Sequence, residues 1–520
     1  MKRSCCTAAV FLCARLSGVG QTIPPKEADR IAPDVSWALR RSAAEDSQIL
    51  RTVHILADRY GPRLTGSPAH EAAAKWVAAT LSGWGLENSH LESWNFGHTG
   101  WSNREASGYI ISPAPSRLNF EVQAWTPSTR GKVAGDVVQI TPPRTPTQDQ
   151  LSAWLAQHRE DVRGKVVLVG RAAHVEIAMN PSAKRFETSE LRANLSGSGD
   201  SSPEPARKLA RLSRREIDER VNRWLKDNGA LVKLEDSGRP MGQIRALGSP
   251  TYNSSDTIPT VVLRNEDFGR LERLLADGEN VRVEFDIQNS DYPAGGTSYN
   301  VVAEIPGREK NGEMVMFGAH LDSWHMATGA TDNAIGCAVV MEAARILAAS
   351  SRRPKRTVRV ALWSGEEQGN LGSKAYVAEH FGTIGRPGAE FARLSAYLNT
   401  DMGTGRIRCL WLFGPSEGAA ALQSALAPFA DLGFVFAAAS PLRAPGNSDH
   451  SAFSEAGLPA VNFVQDPIDY GSTWHTQLDT YERVLADDAR QAATLVALAV
   501  WDLAERDTLL PRDHPAAPVP

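Results

Sequence analysis

From about residue 297 to the C-terminal end, the chain alternates short apolar, β-branched runs with segments patterned as helices. That alternation constrains the fold more than any other feature. Residues 300–305, 313–318, 357–363, 394–399, 409–413 and 460–464 read as strands, and 333–349, 373–380, 417–426, 451–456 and 486–506 as helices. A chain written this way builds an α/β domain, a mainly parallel mixed sheet flanked by helices, and such sheets collect ligands outside the carboxyl ends of their strands.

The earlier part of the chain differs. After a polar, proline-containing stretch, 47–86 is patterned as helix, interrupted at 61–67 (Gly-Pro-Arg-Leu-Thr-Gly-Ser) by a segment of turn composition. From 118 the character turns to short strands at 133–140, 164–170 and 258–263. A Ser-, Gly- and Pro-rich segment at 180–205 reads as a mobile loop, and a charged amphipathic helix follows at 205–230. Nothing in 118–290 resembles a catalytic cluster, so this block reads as an inserted β-rich domain. It separates an N-terminal part (35–117) from the main part (291–510) of one larger domain. At 520 residues, more than one core is expected.

At the N-terminus, Lys2 and Arg3 precede a short apolar run and then small residues, the layout of an export signal covering 1–21. An exported protein, periplasmic or secreted, is expected. Of the five cysteines, Cys5, Cys6 and Cys13 fall in this leader, so no disulfide framework is implied. A net charge of −4 gives no electrostatic reason to expect nucleic acid or an anionic membrane as partner, and no segment is long and apolar enough to cross a bilayer.

Chemistry-bearing residues gather at the strand ends. His320 and Asp322 follow one strand two residues apart, a spacing that lets Asp322 accept from the imidazole and fix its tautomer. Asp332 sits among Gly329, Ala330, Ala334 and Gly336, small residues that permit close backbone approach. Glu366 and Glu367 follow the strand ending at Trp363. Adjacent carboxylates repel unless a cation intervenes, and their diverging side chains let one bind metal while the other handles a water proton. Asp401 ends another strand, and His475 follows the loop leaving the last one. Each residue alone has a bland structural reading. Together, five hard or borderline ligands (His320, Asp332, Glu367, Asp401, His475) point to catalytic zinc, with nitrogen and carboxylate donors and no thiolate. Two ions bring four positive charges, matched by Asp332, Glu367, Asp401 and a hydroxide, so a pair of Zn2+ per chain is expected.

The stretches Gly-Ala-His320-Leu-Asp322-Ser-Trp, Gly-Ala-Thr-Asp332-Asn, Leu-Trp-Ser-Gly-Glu366-Glu367-Gln-Gly and Trp-His475-Thr-Gln-Leu-Asp479-Thr resemble the M28 metallopeptidase family. Asp401-Met-Gly-Thr-Gly and Ser448-Asp449-His450, with the 466–470 loop, resemble its carboxypeptidase Q branch. The resemblance covers about 297–510 and the 61–75 region, and it implies a zinc exopeptidase fold whose inserted block is a protease-associated domain. It implies that His320 and Asp401 hold one zinc, that Glu367 and His475 hold the other, and that Asp332 bridges them. Glu366 would then be the general base, and Asp322, as the partner of the His320 ring, is counted with it as catalytic. Trp474 departs from the pattern, since relatives often carry a second histidine there. The implied activity is hydrolysis of dipeptides or short peptides, and aminopeptidase specificity is its alternative. A glutaminyl-cyclase-like acyltransferase and an inactive receptor-like binding protein are the non-hydrolase alternatives. By analogy alone, a homodimer is expected.

Overall fold

The structure, a computed structural model, describes residues 31–177, 179, 184–197, 211–309, 312–440 and 448–512. The leader expected at 1–21 lies outside the described residues. Eight strands form the larger sheet: β1 (Glu87–Asn95), β2 (Thr297–Ile305), β3 (Met314–His320), β4 (Thr357–Trp363), β5 (Leu394–Asn399), β6 (Ile407–Phe413), β7 (Phe436–Ala439) and β8 (Ala460–Gln465). Their order across the sheet is β1-β2-β4-β3-β5-β8-β6-β7. Strands β4, β3, β5 and β8 are mutually parallel neighbours, whereas β1, β2 and β6 join antiparallel.

Sequence explains this order. Strands β3, β5 and β8 are buried at every position, as a central strand covered on both faces must be. Alternate side chains feed two cores. Val315, Phe317, Ala319, Val358, Val360, Leu398 and Val461 pack under helices Pro33–Glu45, Pro68–Gly83, Ile335–Ala348 and Ala486–Glu505. Met314, Met316, Ala361, Trp363, Tyr397 and Ala460 face the helices Leu371–His380 and His450–Glu455. Helix Ile335–Ala348 is buried on nearly all sides, in keeping with its almost wholly apolar sequence.

A second eight-stranded sheet takes its strands from residues 100–292. Its spine is a long antiparallel pair, Gly100–Ser112 with Arg282–Tyr292, followed by the parallel run Val133–Ile140, Val166–Val169, Val232–Asp236 and Thr260–Leu263. Helix Asn265–Ala276 covers one face. Helices Gln148–Gln157 and Arg214–Asp227 cover the other, and each of these two begins with a capping box, at Thr147 and Ser213. The core under Phe268 and Leu271 also takes in Trp94, Phe96, Trp324 and Met326, so this unit is welded to the loop that leaves β3.

Two sequence expectations change. Within the segment 180–205, expected to be loop, residues Thr188–Gly197 are helical, and the rest of that segment lies mostly outside the described residues. Strand β1 and the pair Gly100–Ser112 with Arg282–Tyr292 were not anticipated. Strand β1 is an edge strand, polar along most of its length and largely accessible, so it carries no apolar period to read.

Candidate metal centre

Because β4, β3, β5 and β8 run the same way and in register, their carboxyl ends share one edge. His320 pairs with Trp363, Gly318 with Asn399, and Asn399 with Asn462. All five candidate ligands hang from that edge or from loops leaving it. His320 is the last residue of β3, Glu366 and Glu367 follow β4, Asp401 follows β5, and His475 follows β8.

The structure brings these residues together as two trios sharing one member. Ligand atoms of His320, Asp332 and Asp401 lie within 4.8 Å of one another, and so do those of Asp332, Glu367 and His475. Asp332 stands between the two histidines, with Oδ1 3.2 Å from His320 Nε2 and Oδ2 3.2 Å from His475 Nε2. Asp401 Oδ1 is 3.2 Å from His320 Nε2, and Glu367 Oε2 is 2.8 Å from His475 Nε2. Asp332 Oδ2 and Glu367 Oε1 are buried yet make no hydrogen bond. A buried carboxylate oxygen left without a donor is costly, and a cation at each trio would satisfy it.

Electrostatics agree with the geometry. Burial, then the negative charges of Asp401, Glu367 and Asp449, push Glu366 well above the carboxylate range against the pull of His320. Burial and Asp332 raise Glu367 to about 7, although His475 opposes them. Burial disfavours charge on His475, but Glu367 and Asp332 outweigh it and hold the imidazole at about 9. The cluster holds more acid than its two histidines neutralise, so it is short of positive charge.

Neighbouring residues hold the ligands in place. His320 Nδ1 lies 3.0 Å from the main-chain oxygen of Asp322, while the Asp322 carboxylate is 3.7 Å away. The carbonyl therefore fixes the ring's tautomer more directly than the carboxylate expected to do so. The Asp322 carboxylate, fully buried, instead accepts from Thr65 Oγ1 (2.9 Å) and from the backbone N–H groups of Glu366 and Glu367 (both 3.3 Å), which sets the direction of the Glu pair. Asp479 accepts from the backbone N–H groups of Thr331 and Asp332. His475 itself adopts a left-handed backbone (φ 57°), a conformation a non-glycine residue keeps only where its surroundings impose it.

Three supporting residues went unremarked in the bare chemistry. Thr65 lies in the 61–67 segment, which composition marked as a turn and only the resemblance connected with the rest of the site. Arg63, wholly buried, donates to the carbonyls of Leu56, Leu321, Thr328 and Gly329, bracing the loop between His320 and Asp332. Arg245 comes from the second unit, and its Nη2 sits 3.2 Å from His475 Nδ1. No local pattern distinguishes it from the other arginines of that region.

Among the described residues, no helix is long and apolar enough to cross a membrane. Residues 300–500 match the model of peptidase family M28. Over 473 residues the chain is 26% identical to carboxypeptidase Q of Bos taurus, covering 88% of this chain and 85% of that protein. The Homo sapiens carboxypeptidase Q is 25% identical over 472 residues, with the same coverage. Among solved structures, a peptidase M28 precursor from Shewanella amazonensis SB2B superposes with a TM-score of 0.66 at 24% identity, covering 93% of this chain and 99% of that one. A zinc aminopeptidase from Bacillus subtilis superposes at 0.56 and 20% identity, covering 89% and 97%. The sheet order, the edge where the candidate ligands gather and these similarities agree: residues 300–500 form a domain similar to peptidase family M28.

Proposed function

We propose that this protein is an exported, zinc-dependent exopeptidase that hydrolyses dipeptides or short peptides with two zinc ions per chain. The observation that carries the reading is the pair of trios sharing Asp332, with buried oxygens of Asp332 and Glu367 left without hydrogen bonds. His320 and Asp401 would hold one ion, Glu367 and His475 the other, and Asp332 would bridge them. Bound there, zinc polarises the scissile carbonyl and lowers the pKa of a water towards about 7.

The chain's own residues do the rest. Glu366 accepts the proton of the attacking water and delivers it to the leaving amine. Its backbone N–H is held by Asp322. Tyr470 faces the acids: burial, then Asp332, Asp401 and Glu367, push its phenol well above the usual range, so it stays protonated and able to donate to a developing oxyanion. Residues 118–290, read as a protease-associated insertion, belong to the unit that packs over the loop leaving β3, and there they would restrict the cleft to short substrates.

Metal analysis and a dipeptide panel with free or blocked termini test this reading. Two zinc ions per chain, hydrolysis abolished by a chelator and restored by zinc, and cleavage of dipeptides with both termini free are the expected results. A purified protein that retains no zinc and hydrolyses nothing in a chelator-sensitive way would sink it. Cleavage that needs only a free amino terminus would replace it with the aminopeptidase alternative.

A further inference from the structure

The segment 184–197 lies on the edge of the main sheet, beside the loop that carries Tyr470. Lys184 and Ile468 exchange main-chain hydrogen bonds: the Lys184 N–H donates to the Ile468 carbonyl (3.0 Å), and the Ile468 N–H donates to the Lys184 carbonyl (2.9 Å). The Phe186 N–H donates to Asp466 Oδ1 (3.0 Å), and Arg185 Nη1 joins Asp466 Oδ2 (3.0 Å) to Asp488 Oδ2 (2.7 Å). Leu191 then packs against Cys409, Phe436 and Val464, which belong to β6, β7 and β8. Nothing in the catalytic scheme uses these contacts.

All of them converge on the start of the loop from β8 to His475. Asp466, the residue after β8, and Asp488 are both buried, so each needs a partner. Arg408 Nη1 donates to Asp466 Oδ1 (3.0 Å) and to the Phe186 carbonyl (3.1 Å), and Arg406 Nε donates to Asp488 Oδ1 (3.0 Å). Of these three arginines, Arg185 is the one that comes from outside the main part of the chain. Ile468 has a left-handed backbone (φ 47°), which a β-branched residue keeps only where its surroundings over-determine it. The reciprocal pair with Lys184 engages both main-chain polar groups of Ile468 and supplies that constraint. Two residues on, the Tyr470 N–H donates to the Pro467 carbonyl (2.8 Å). The Tyr470 ring lies so close to Gly403, two residues past Asp401, that a β-carbon there would come within 2.8 Å of it. The ring is thus located by the loop leaving β5 on one side and by residues 466–468 on the other.

We infer that Arg185 is a positioning residue for Tyr470: through Asp466 and the Lys184–Ile468 pair, the inserted unit holds the phenol where it donates to the oxyanion. A donor that meets charge only in the transition state acts on kcat rather than on KM. The inference rests on the peptidase reading above and gives the inserted unit a part in the rate of the chemical step.

The test uses the full-length, zinc-loaded protein with alanyl-alanine as substrate. Arg185→Met should lower kcat about 10-fold, with KM within about 2-fold of wild type and zinc content unchanged. Arg185→Lys should recover part of the loss, and Arg185→Glu, which sets a third acid beside Asp466 and Asp488, should lose more. In the Tyr470→Phe background, Arg185→Met should cost less than about 2-fold, because the donor that it places is gone. As a readout independent of turnover, hydrogen exchange in the metal-free protein should quicken at the Tyr470 and Trp474 amides of Arg185→Met and stay as in wild type along β3 and β5. Equal losses with and without the Tyr470 hydroxyl, a wild-type kcat in Arg185→Met, or unchanged exchange at those two amides each overturn the role of Arg185 and leave the peptidase intact. Wild type that cleaves no dipeptide at any zinc concentration would instead remove the peptidase reading, and this inference with it.

Discussion

Among the described residues, two clusters of histidine and acid have ligand atoms close enough to surround a cation, and they differ in what compensates them. At the carboxyl edge of the sheet, His320, Asp332, Asp401, Glu367 and His475 crowd together with Glu366, and among the described residues no arginine pairs with these acids. At the antiparallel flank, Glu92, Glu379 and His380 form the other cluster, and there Arg359 donates to Glu304 and Glu390 (2.7 Å each) while His380 Nε2 meets Glu92 at 3.0 Å. The titration behaviour diverges accordingly. Hydrogen bonding to His380 and then to Arg359 holds Glu390 down at about 2, whereas burial and like charge lift Glu367 to about 7. Proximity of ligand atoms does not by itself mark a metal centre. The sign of the uncompensated charge does.

The largest expected effect tests the metal side of this contrast. Glu366→Gln should lose about 10³-fold in kcat while retaining wild-type zinc content, since it removes a proton carrier and no ligand. Near-wild-type turnover would show that the acid excess serves something other than base catalysis. Next, Arg359→Met should turn the flank into the uncompensated kind. With its side chain 12% exposed and two acids abandoned, denaturant unfolding should report a loss of about 3 kcal/mol, and a loss below about 1 kcal/mol would mean that solvent already screens the flank.

The smallest effect is a pH dependence. Hydrogen bonds to Glu390 and then Glu92 raise His380 to about 9 from an ordinary 6.5. A raised histidine pKa stabilises the fold fully below about pH 6.5, and the contribution disappears as pH climbs through 9. The ring is close to one-third exposed, so screening leaves about 1 kcal/mol. His380→Gln should flatten the decline in stability between pH 6.5 and 9. An unaltered slope in that variant would remove His380 from the account.

How much of this could be read from the sequence follows from where each signal resides. The candidate ligands His320, Glu367 and Asp401 were legible because each ends or closely follows an apolar run with a clear strand signature, and a parallel sheet places such positions on one edge; Asp332 and His475 stand in loops leaving that edge. The central strands were legible for the same reason. Strand β1 was not, because an edge strand satisfies one side with water and so is free to be polar. Asp322 was read as a partner of the His320 ring, yet its position two residues on also lets its carbonyl do that work, and only coordinates distinguish the two. Arg245 carried no signal at all. Its relevance arises from packing between units whose pairing is written in no local pattern.

The buried Arg63 has a consequence for how this protein comes of age. It spans 258 positions in sequence to reach Leu321, and its donors go to main-chain carbonyls on the loop that carries the chain from His320 to Asp332. A clipped copy lacking the amino-terminal segment would retain every proposed zinc ligand yet lack the brace that sets their spacing. The spacing of the proposed ligands is thus set by a side chain that lies far from them in sequence, so the candidate centre takes shape only once two distant segments have docked.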